Sequence, residues 1–435
     1  MSEQLKVFPD DLTLDSPQVV SIQKRTVATL AASQMFGGIA VAGSVAAGAL
    51  LAASIADSEA AAGLAQTAGV LGAALFALPL ARIALSRGRR AALATGYALG
   101  AVGAGIVIIG AVQRNLVLVL VGCMLVGVSS AASFQARYAA TDLALPDTRA
   151  KSLSYVVWAA TIGAVLGPNL LNFSGSVGLS LGLPQLSGPY VISGIALILA
   201  VSVLLVSLRP DPFVLSTHLR TSQLVASGMP EQTKARLRDG IEHLRTRPRA
   251  VLGIASIAIG HVVMVMVMVM TPVHMAHVDV TLQLIGLVIS VHVAGMYALS
   301  PVVGMAVDRF GRIQVVIAGI GILTASCVIS GLAPADNVPI LGVGLFLLGL
   351  GWSCTLIAGS TLVTDSVEPR ERPSVQGLSD LTMNAAGALG GAVAGVVMLI
   401  GGYGLLCAAA ILPLIGLGIC VARPACRVYS NARSI

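Results

Sequence analysis

Long apolar runs separated by short polar connections form the pattern of this chain. Each run is about 20 residues or longer, and a helix of that length crosses a hydrocarbon layer about 30 Å thick. Alanine, glycine and serine recur within the runs at spacings of three and four, which allows helix backbones to approach closely. The pattern predicts twelve transmembrane helices, at residues 28–54, 62–83, 91–112, 116–140, 152–173, 189–208, 250–271, 282–303, 313–333, 338–363, 377–400 and 403–422.

The composition is that of a membrane protein. Of the 435 residues, 56% are hydrophobic and 10% are charged, and the mean hydropathy is +0.91. A soluble domain would carry about 25% charged residues. The sequence also shows no nucleophile-and-base pair and no metal cluster at usable spacing, so we expect no enzyme, no cofactor and no metal.

The basic residues predict the orientation in the membrane. All of the 26 lysines and arginines except Arg114 lie at the two ends or on every second connection. Cytoplasmic segments carry such an excess, so both termini are expected inside. The net charge of +7 then follows from topology and an anionic inner leaflet, with no nucleic acid as a partner. Arginine-rich, alanine-rich composition indicates a bacterial plasma (inner) membrane.

These features predict a domain order. Leu237, Ile241 and Leu244 mark the apolar face of a short amphipathic helix between the two halves, lying along the inner membrane surface. The predicted parts are a cytoplasmic tail at 1–27, a six-helix bundle at 28–208, a cytoplasmic linker at 209–249, a second six-helix bundle at 250–422 and a second tail at 423–435.

A short charged segment occurs twice. Residues 304–312 read G-M-A-V-D-R-F-G-R, and residues 81–90 read A-R-I-A-L-S-R-G-R-R. The two copies are 223 positions apart, and the same offset aligns Asp142 with Asp365. We interpret the chain as a tandem duplication that gives two pseudo-symmetric bundles. Each copy is predicted to form a tight, glycine-bounded turn between two spans.

The pattern G-x-x-x-D-R-x-G-R resembles the loop signature of the major facilitator superfamily of secondary transporters. The resemblance implies that superfamily's all-α fold of twelve transmembrane helices. It further implies that Asp308 caps the start of the fifth span near Ser152 and that Arg312 pairs with Asp365. The first copy has Leu85 in place of the aspartate, although Arg89 can still pair with Asp142, so we expect an asymmetric cytoplasmic gate. The predicted gating residues are Gly304, Asp308, Arg309, Gly311, Arg312, Gly88, Arg89, Asp142 and Asp365.

Two further segments bear on coupling and direction. Members of the superfamily often carry an arginine in the fourth helix where this chain has Cys123. Arg137 is expected to extend to the membrane interface, and the alternative is a buried role in coupling. Gly163, Gly167 and Pro168 resemble the G-x-x-x-G-P motif of the antiporter branch, which favours export. A kinked packing helix would show the same residues.

Asp380 is the acidic residue that lies well inside a predicted span. A buried carboxylate there is costly unless it is neutral or partnered, which makes Asp380 a proton-coupling candidate. The alternative is a structural role, with Asp380 bound to backbone or to Asn384. His261 and His292 are further proton-coupling candidates, and for each the alternative is a neutral, hydrogen-bonded histidine.

Several side chains within spans are candidates for a substrate cavity, because they are polar, aromatic or pliable. Packing between helices, or against lipid for the methionines, is the alternative for each. The candidates are Gln34, Trp158, Met264, Met268, Trp352 and Asn384.

The leading hypothesis is a drug-efflux type transporter that exports small amphipathic molecules in exchange for protons. Alternating access of the two bundles would move the substrate. The alternatives are a proton-coupled importer or facilitator of a small metabolite, and a membrane sensor that does not transport. We expect a monomer whose partners are the substrate, protons and membrane lipids.

Overall fold

The computed structural model describes residues 12–57, 59–226, 242, 244–276, 278 and 280–422. Within these ranges the regular structure is helical, and no residue is assigned to a β-strand. The helices of the first half are α1 Pro17–Ala56, α2 Glu59–Arg87, α3 Arg89–Val112, α4 Leu116–Ala139, α5 Arg149–Asn169, α6 Leu171–Ser180, α7 Gly188–Ser207 and α8 Pro212–Ala226.

The second half repeats this order of long helices. It contains α9 Pro248–Ala276, α10 Leu282–Tyr297, α11 Ser300–Phe310, α12 Arg312–Leu332, α13 Val338–Ser366 and α14 Arg372–Ala422. Helix α14 holds two predicted spans, because its backbone breaks at Gly401 and Gly402, and Gly402 has a φ of 69°. Glycine tolerates this conformation without the steric cost that a Cβ would add.

In the described part of the chain, nine helices are long and apolar enough to cross a membrane. Helix α1, helix α5 and the second half of α14 account for the other three predicted spans. The predicted spans therefore all fall on helices, although α1 begins at Pro17 rather than at residue 28.

The chain forms two compact units, and each includes a short segment from the other half of the sequence. The first unit contains Met1–Pro146, Tyr155–Gly240 and Glu368–Leu381. The second contains Asp147–Ser154, Ile241–Val367 and Thr382–Ile435. The start of α5 therefore belongs to the second unit, and the start of α14 belongs to the first.

Small residues set the packing distance between α3 and α4. A Cβ added to Gly103 would lie 2.7 Å from the carbonyl oxygen of Gly122, and one added to Gly100 would lie 2.8 Å from Cβ of Ser129. Both distances are shorter than a van der Waals contact, so a larger residue would force the helices apart. The small residues predicted to pack are thus where two helices meet.

The structure corrects one prediction about the charged segment. Residues 304–310 do not form a turn but the last two turns of α11, and the helix ends only at Gly311, which has a φ of 104°. The break needs one glycine, because α12 begins at the next residue. Gly88, with a φ of 91°, separates α2 from α3 in the same way.

The amphipathic helix predicted for the linker lies largely outside the described residues, since of its three marker positions only Leu244 is described. It stays a prediction. The structure also has a helix near the start of the linker, α8. Leu215 and Leu219 of α8 are buried against Val19 and Leu143.

Candidate functional site

The second copy of the charged segment holds the start of α5 within the second unit. Asp308 accepts hydrogen bonds from the backbone N–H groups of Ala150 (3.2 Å) and Lys151 (2.8 Å). A carboxylate at this position satisfies unpaired donors and favours the positive end of the helix dipole. The predicted cap on α5 is therefore present, with Ala150 and Lys151 as the donors.

Asp365 sits between two arginines in the same unit. Arg312 Nε lies 2.8 Å from Asp365 Oδ2, and Arg149 Nη1 lies 2.6 Å from Asp365 Oδ1. The predicted Arg312–Asp365 pair is confirmed as a contact, and its role in gating stays a prediction. Arg309 is exposed and lies over the ring of Phe310 instead, with 5.5 Å to the ring centroid.

Close contact between small residues occurs at equivalent places in both copies. Gly304 packs on Ser154, and a Cβ on Gly304 would overlap the Ser154 hydroxyl. The position 223 residues before Gly304 is Ala81, and the position 223 residues after Ser154 is Gly377. A Cβ on Gly377 would lie 2.5 Å from Cβ of Ala81. In the second unit the glycine belongs to the charged segment, whereas in the first unit it belongs to the helix that packs on that segment.

The first copy contributes a buried ion pair. Arg89 binds Asp142 through both Nε (2.8 Å to Oδ2) and Nη2 (3.3 Å to Oδ1), and both side chains are 1% exposed. Arg89 Nη2 also donates to Oε1 of Gln376, at the start of α14. The predicted Arg89–Asp142 contact is confirmed, and Gln376 is an additional partner. A two-bond arginine–carboxylate pair is the strongest geometry available to these groups.

Arg137 does not extend to the membrane interface, which corrects the sequence interpretation. Its Nη2 lies 2.7 Å from Oδ1 of Asp380, and the two side chains are 2% and 0% exposed. The guanidinium also lies over Tyr138, with 4.7 Å to the ring centroid. Periodicity alone places Arg137 near a helix end, but it cannot show that a carboxylate of a distant helix lies within reach.

Asp380 therefore has an arginine as a partner, and the alternative of a bond to Asn384 stays open. Next to the pair, the hydroxyl of Tyr138 donates to Oγ of Ser379 at 3.1 Å, and both residues are buried. Because α14 is continuous from Arg372, Asp380 lies about 12 Å along the helix from its start. We define the buried charge cluster as Arg89, Arg137, Asp142 and Asp380; all four residues lie in the first unit.

Cys123 stands where members of the superfamily that the sequence resembles often carry an arginine. Its sulfur lies 3.5 Å from the hydroxyl of Tyr190, which donates to the backbone carbonyl of Ser44 at 2.9 Å. Tyr190 is 1% exposed and Cys123 is 8% exposed. At this position of α4 the structure therefore has an uncharged contact between Cys123 and Tyr190. The arginine of α4 that binds a carboxylate is Arg137.

In the second unit, His261 and Trp352 form a hydrogen-bonded pair. The indole Nε1 of Trp352 donates to Nδ1 of His261 at 3.1 Å. Tyr297 meets the indole edge-on, with 5.7 Å between ring centroids. Since Nδ1 accepts a hydrogen bond, the neutral ring carries its proton on Nε2.

Two other polar candidates serve as links between helices. His292 is fully buried, and its Nδ1 donates to the backbone carbonyl of Leu345 at 2.8 Å. Gln34 is 6% exposed, and its Oε1 accepts from the hydroxyl of Tyr97 at 2.8 Å. Both contacts are of the packing kind that was the alternative for these residues, and the coupling and cavity roles stay predictions.

The remaining cavity candidates differ in exposure. Asn384 and Met264 are buried, Met268 is partly buried, and Trp158 is 42% exposed. Trp158 and Trp352 are therefore not equivalent, since Trp352 is 1% exposed. Their proposed contact with substrate stays a prediction.

The antiporter-like motif lies at a close crossing of two helices. A Cβ on Gly163 would overlap the backbone of Gly38, so α1 and α5 touch there without intervening side chains. Gly167 and Pro168 follow in the last turn of α5, which ends at Asn169, and α6 begins at Leu171. Whether this arrangement sets the direction of transport stays a prediction.

Among the described residues, no three histidines, cysteines, aspartates or glutamates lie close enough together to hold a metal ion. Sequence reasoning missed Gln376, Gly377 and Asp211 as contacts of the charged segments. The offset of 223 residues maps Ser154 onto Gly377, which was an available signal. Nothing in the spacing pointed to Gln376 or Asp211, because their contacts join segments far apart in sequence.

Comparison with known proteins gives the family. A profile described as Major Facilitator Superfamily matches residues 28–281 and 259–426. The MFS-type transporter YddS of Bacillus subtilis is 37% identical over 395 residues, covering 90% of this chain and 89% of that protein. The riboflavin transporter RfnT of Brucella anthropi is 26% identical over 317 residues, covering 72% of this chain and 74% of that protein.

Solved structures agree on the fold. The proton:xylose symporter XylE matches with a TM-score of 0.69 and 14% sequence identity, over 92% of this chain and 96% of that chain. At this identity the likeness concerns the fold alone, and it confirms the predicted all-helical architecture. The profile matches and the relatives together show a multi-pass membrane transporter rather than an enzyme, and the chain belongs to the Major Facilitator Superfamily.

Proposed function

We propose that this transporter exports small amphipathic molecules in exchange for protons, by alternating access. In this proposal Asp380 is the proton-binding group and Arg137 is its partner. Both termini lie in the cytoplasm of a bacterial cell, and the protein acts as a monomer. The observation that carries the proposal is the buried ion pair between Arg137 and Asp380.

The buried charge cluster explains how a proton could change conformation. With two arginines and two aspartates, the cluster is neutral when both carboxylates are ionised. Protonating Asp380 would remove the negative charge beside the buried Arg137, and losing one partner of a buried pair costs about 3–5 kcal/mol. That cost favours any conformation in which Arg137 reaches water or another carboxylate. Binding of a proton and change of conformation would thus be linked.

Two observations support export of amphipathic substrates. The G-x-x-x-G-P residues of α5 resemble the antiporter motif, and Gly163 lies at a close crossing with α1. His261 and Tyr297, which are partly exposed beside the buried Trp352, offer aromatic surface and few charges. Such a surface suits planar or apolar groups better than strongly anionic ones.

A second candidate is import of a planar metabolite. The riboflavin transporter RfnT is a relative at 26% identity, and the aromatic residues of the second unit would also suit a heteroaromatic ring. Import and export require the same fold, so the direction of substrate movement separates the two. A sensor that does not transport would move no substrate in either direction.

The test is transport by purified protein in liposomes under an imposed pH gradient. A panel should contain lipophilic cations, neutral aromatic drugs and riboflavin. Export by proton exchange predicts that substrate moves toward the acidic compartment and that collapsing the gradient stops it. Movement with the protons would favour the importer, and no gradient-dependent movement of any compound would reject proton-coupled transport of these classes.

A further inference from the structure

Asp211 joins two helix starts with one carboxylate. Its Oδ1 accepts from the backbone N–H groups of Phe213 (3.0 Å) and Val214 (3.2 Å), at the start of α8. Its Oδ2 accepts from the backbone N–H of Arg90 (2.7 Å), in the first turn of α3. The side chain is 8% exposed. A buried carboxylate that binds three main-chain donors is well defined in position and ties the linker to α3.

The start of α3 is shaped to receive this carboxylate. Gly88 has a φ of 91°, and a Cβ at Gly88 would overlap the carboxylate of Asp211. Glycine is therefore required at this motif position for backbone conformation and for the approach of Asp211. The neighbouring residue in the motif is Arg89, the partner of Asp142.

Helix α8 contacts both sides of the Arg89–Asp142 pair. The guanidinium of Arg89 lies over the ring of Phe213, with 5.8 Å to the centroid. On the other side, Leu143 directly follows Asp142 and is buried against Leu215 and Leu219 of α8. Movement of α8 would therefore disturb the arginine and the aspartate together.

The two sequence repeats differ at this point. In the second copy, Asp308 of the charged segment itself caps a helix start. The first copy has Leu85 at the matching position and cannot do so. The carboxylate that caps a helix beside the first copy comes from the linker instead.

We propose that Asp211 is a positioning residue for the cytoplasmic gate of the first repeat, holding Arg89 against Asp142 and Gln376 through α3 and α8. The linker is then a working part of the gate rather than a passive connection. The proposal rests on transport by alternating access for its functional consequence. Its structural part is independent of substrate, direction and coupling ion.

The test compares Asp211→Ser with Asp211→Asn in the full-length protein. Serine is a good helix cap and can still serve α8, but its hydroxyl is too short to reach Arg90 as well. Hydrogen exchange is measured in three segments, namely 211–226, 139–143 and 374–378. We expect Asp211→Ser to raise exchange at 374–378 by about tenfold, because Gln376 loses a fixed Arg89, while 211–226 stays protected. Asp211→Asn, which keeps the size and one acceptor, should give a smaller rise.

A matched control is Asp336→Asn, which alters an exposed aspartate on the connection between α12 and α13 and should leave all three segments unchanged. Transport rates are measured in parallel, and Asp211→Ser should lower the rate about tenfold. Unchanged exchange at 139–143 and 374–378 would overturn the positioning role, whatever happens to transport. Altered exchange with an unchanged transport rate would overturn the role in gating. If the parent protein transports nothing, the proposed function fails, while the exchange result still decides whether Asp211 positions Arg89.

Discussion

At the scale of single residues, Asp380 and Arg137 act as a unit. Each is a costly group to bury alone, and the two form an ion pair with 2.7 Å between Arg137 Nη2 and Asp380 Oδ1. A carboxylate paired in this way can bind a proton only when the arginine is compensated elsewhere. We therefore prefer Asp380 to His292 as the proton-binding group, because His292 already donates a hydrogen bond to a backbone carbonyl.

Neutralising Asp380 alone should be harmful, and neutralising both partners should be less so. Asp380→Asn leaves Arg137 buried beside a neutral amide and is expected to destabilise the protein by about 3–5 kcal/mol. Adding Arg137→Met removes the uncompensated charge and should recover most of the loss. Thermal unfolding midpoints of both variants in detergent check this. If the double variant is no more stable than Asp380→Asn, the two residues do not form an energetic pair.

At the scale of helices, close crossings of small residues define how the helices pack. The crossings at Gly103 and Gly163 bring backbone onto backbone. The alanine and glycine spacing of the sequence predicted packing of this kind, and the structure identifies which helices meet. The sequence could not predict that residues 304–310 remain helical, because the glycine needed for the break is at Gly311 rather than at Gly304.

Adding one methyl group should distinguish a crossing from an open helix face. Gly163→Ala places Cβ against the backbone of Gly38, and overpacking of this kind costs about 1–3 kcal/mol. Gly105→Ala is the matched control, since Gly105 is exposed and nothing lies within 4 Å of its Cβ position. That change should stabilise by up to about 1 kcal/mol, because alanine favours helix over glycine. Equal shifts in the unfolding midpoints of the two variants would contradict the crossing.

At the scale of the whole molecule, the two repeats share some contacts and differ in others. The arginine–aspartate pair is kept in both, as Arg89–Asp142 and Arg312–Asp365. The helix-capping aspartate is kept only in the second copy, at Asp308. The spans and the repeat could be predicted from sequence, because they follow from local patterns and one constant offset, whereas the fold and these pairs were implied by the resemblance to the superfamily. The partners Gln376 for Arg89 and Arg137 for Asp380 could not, because which distant helices meet is not encoded in spacing.

Because Asp308 caps the start of α5, weakening this cap should change the equilibrium between the inward-open and outward-open conformations. Asp308→Asn keeps the size but loses the charge at the start of α5, which should shift the conformational equilibrium by about 1 kcal/mol, roughly fivefold. Labelling of single cysteines placed on the cytoplasmic and outer connections should follow the shift. Asp336→Asn is again the control and should leave the labelling unchanged. Labelling of Asp308→Asn that matches the parent protein would remove Asp308 from the gate.

The most direct test of proton exchange is proton release on substrate binding. Purified protein in weakly buffered detergent solution is mixed with a substrate found in the liposome panel, and a pH indicator records the protons released. The proposal predicts release on the order of one proton per bound substrate, since substrate and proton favour different conformations. Asp380→Asn should bind the same compound and release none. Equal proton release by the parent protein and by Asp380→Asn would contradict the account.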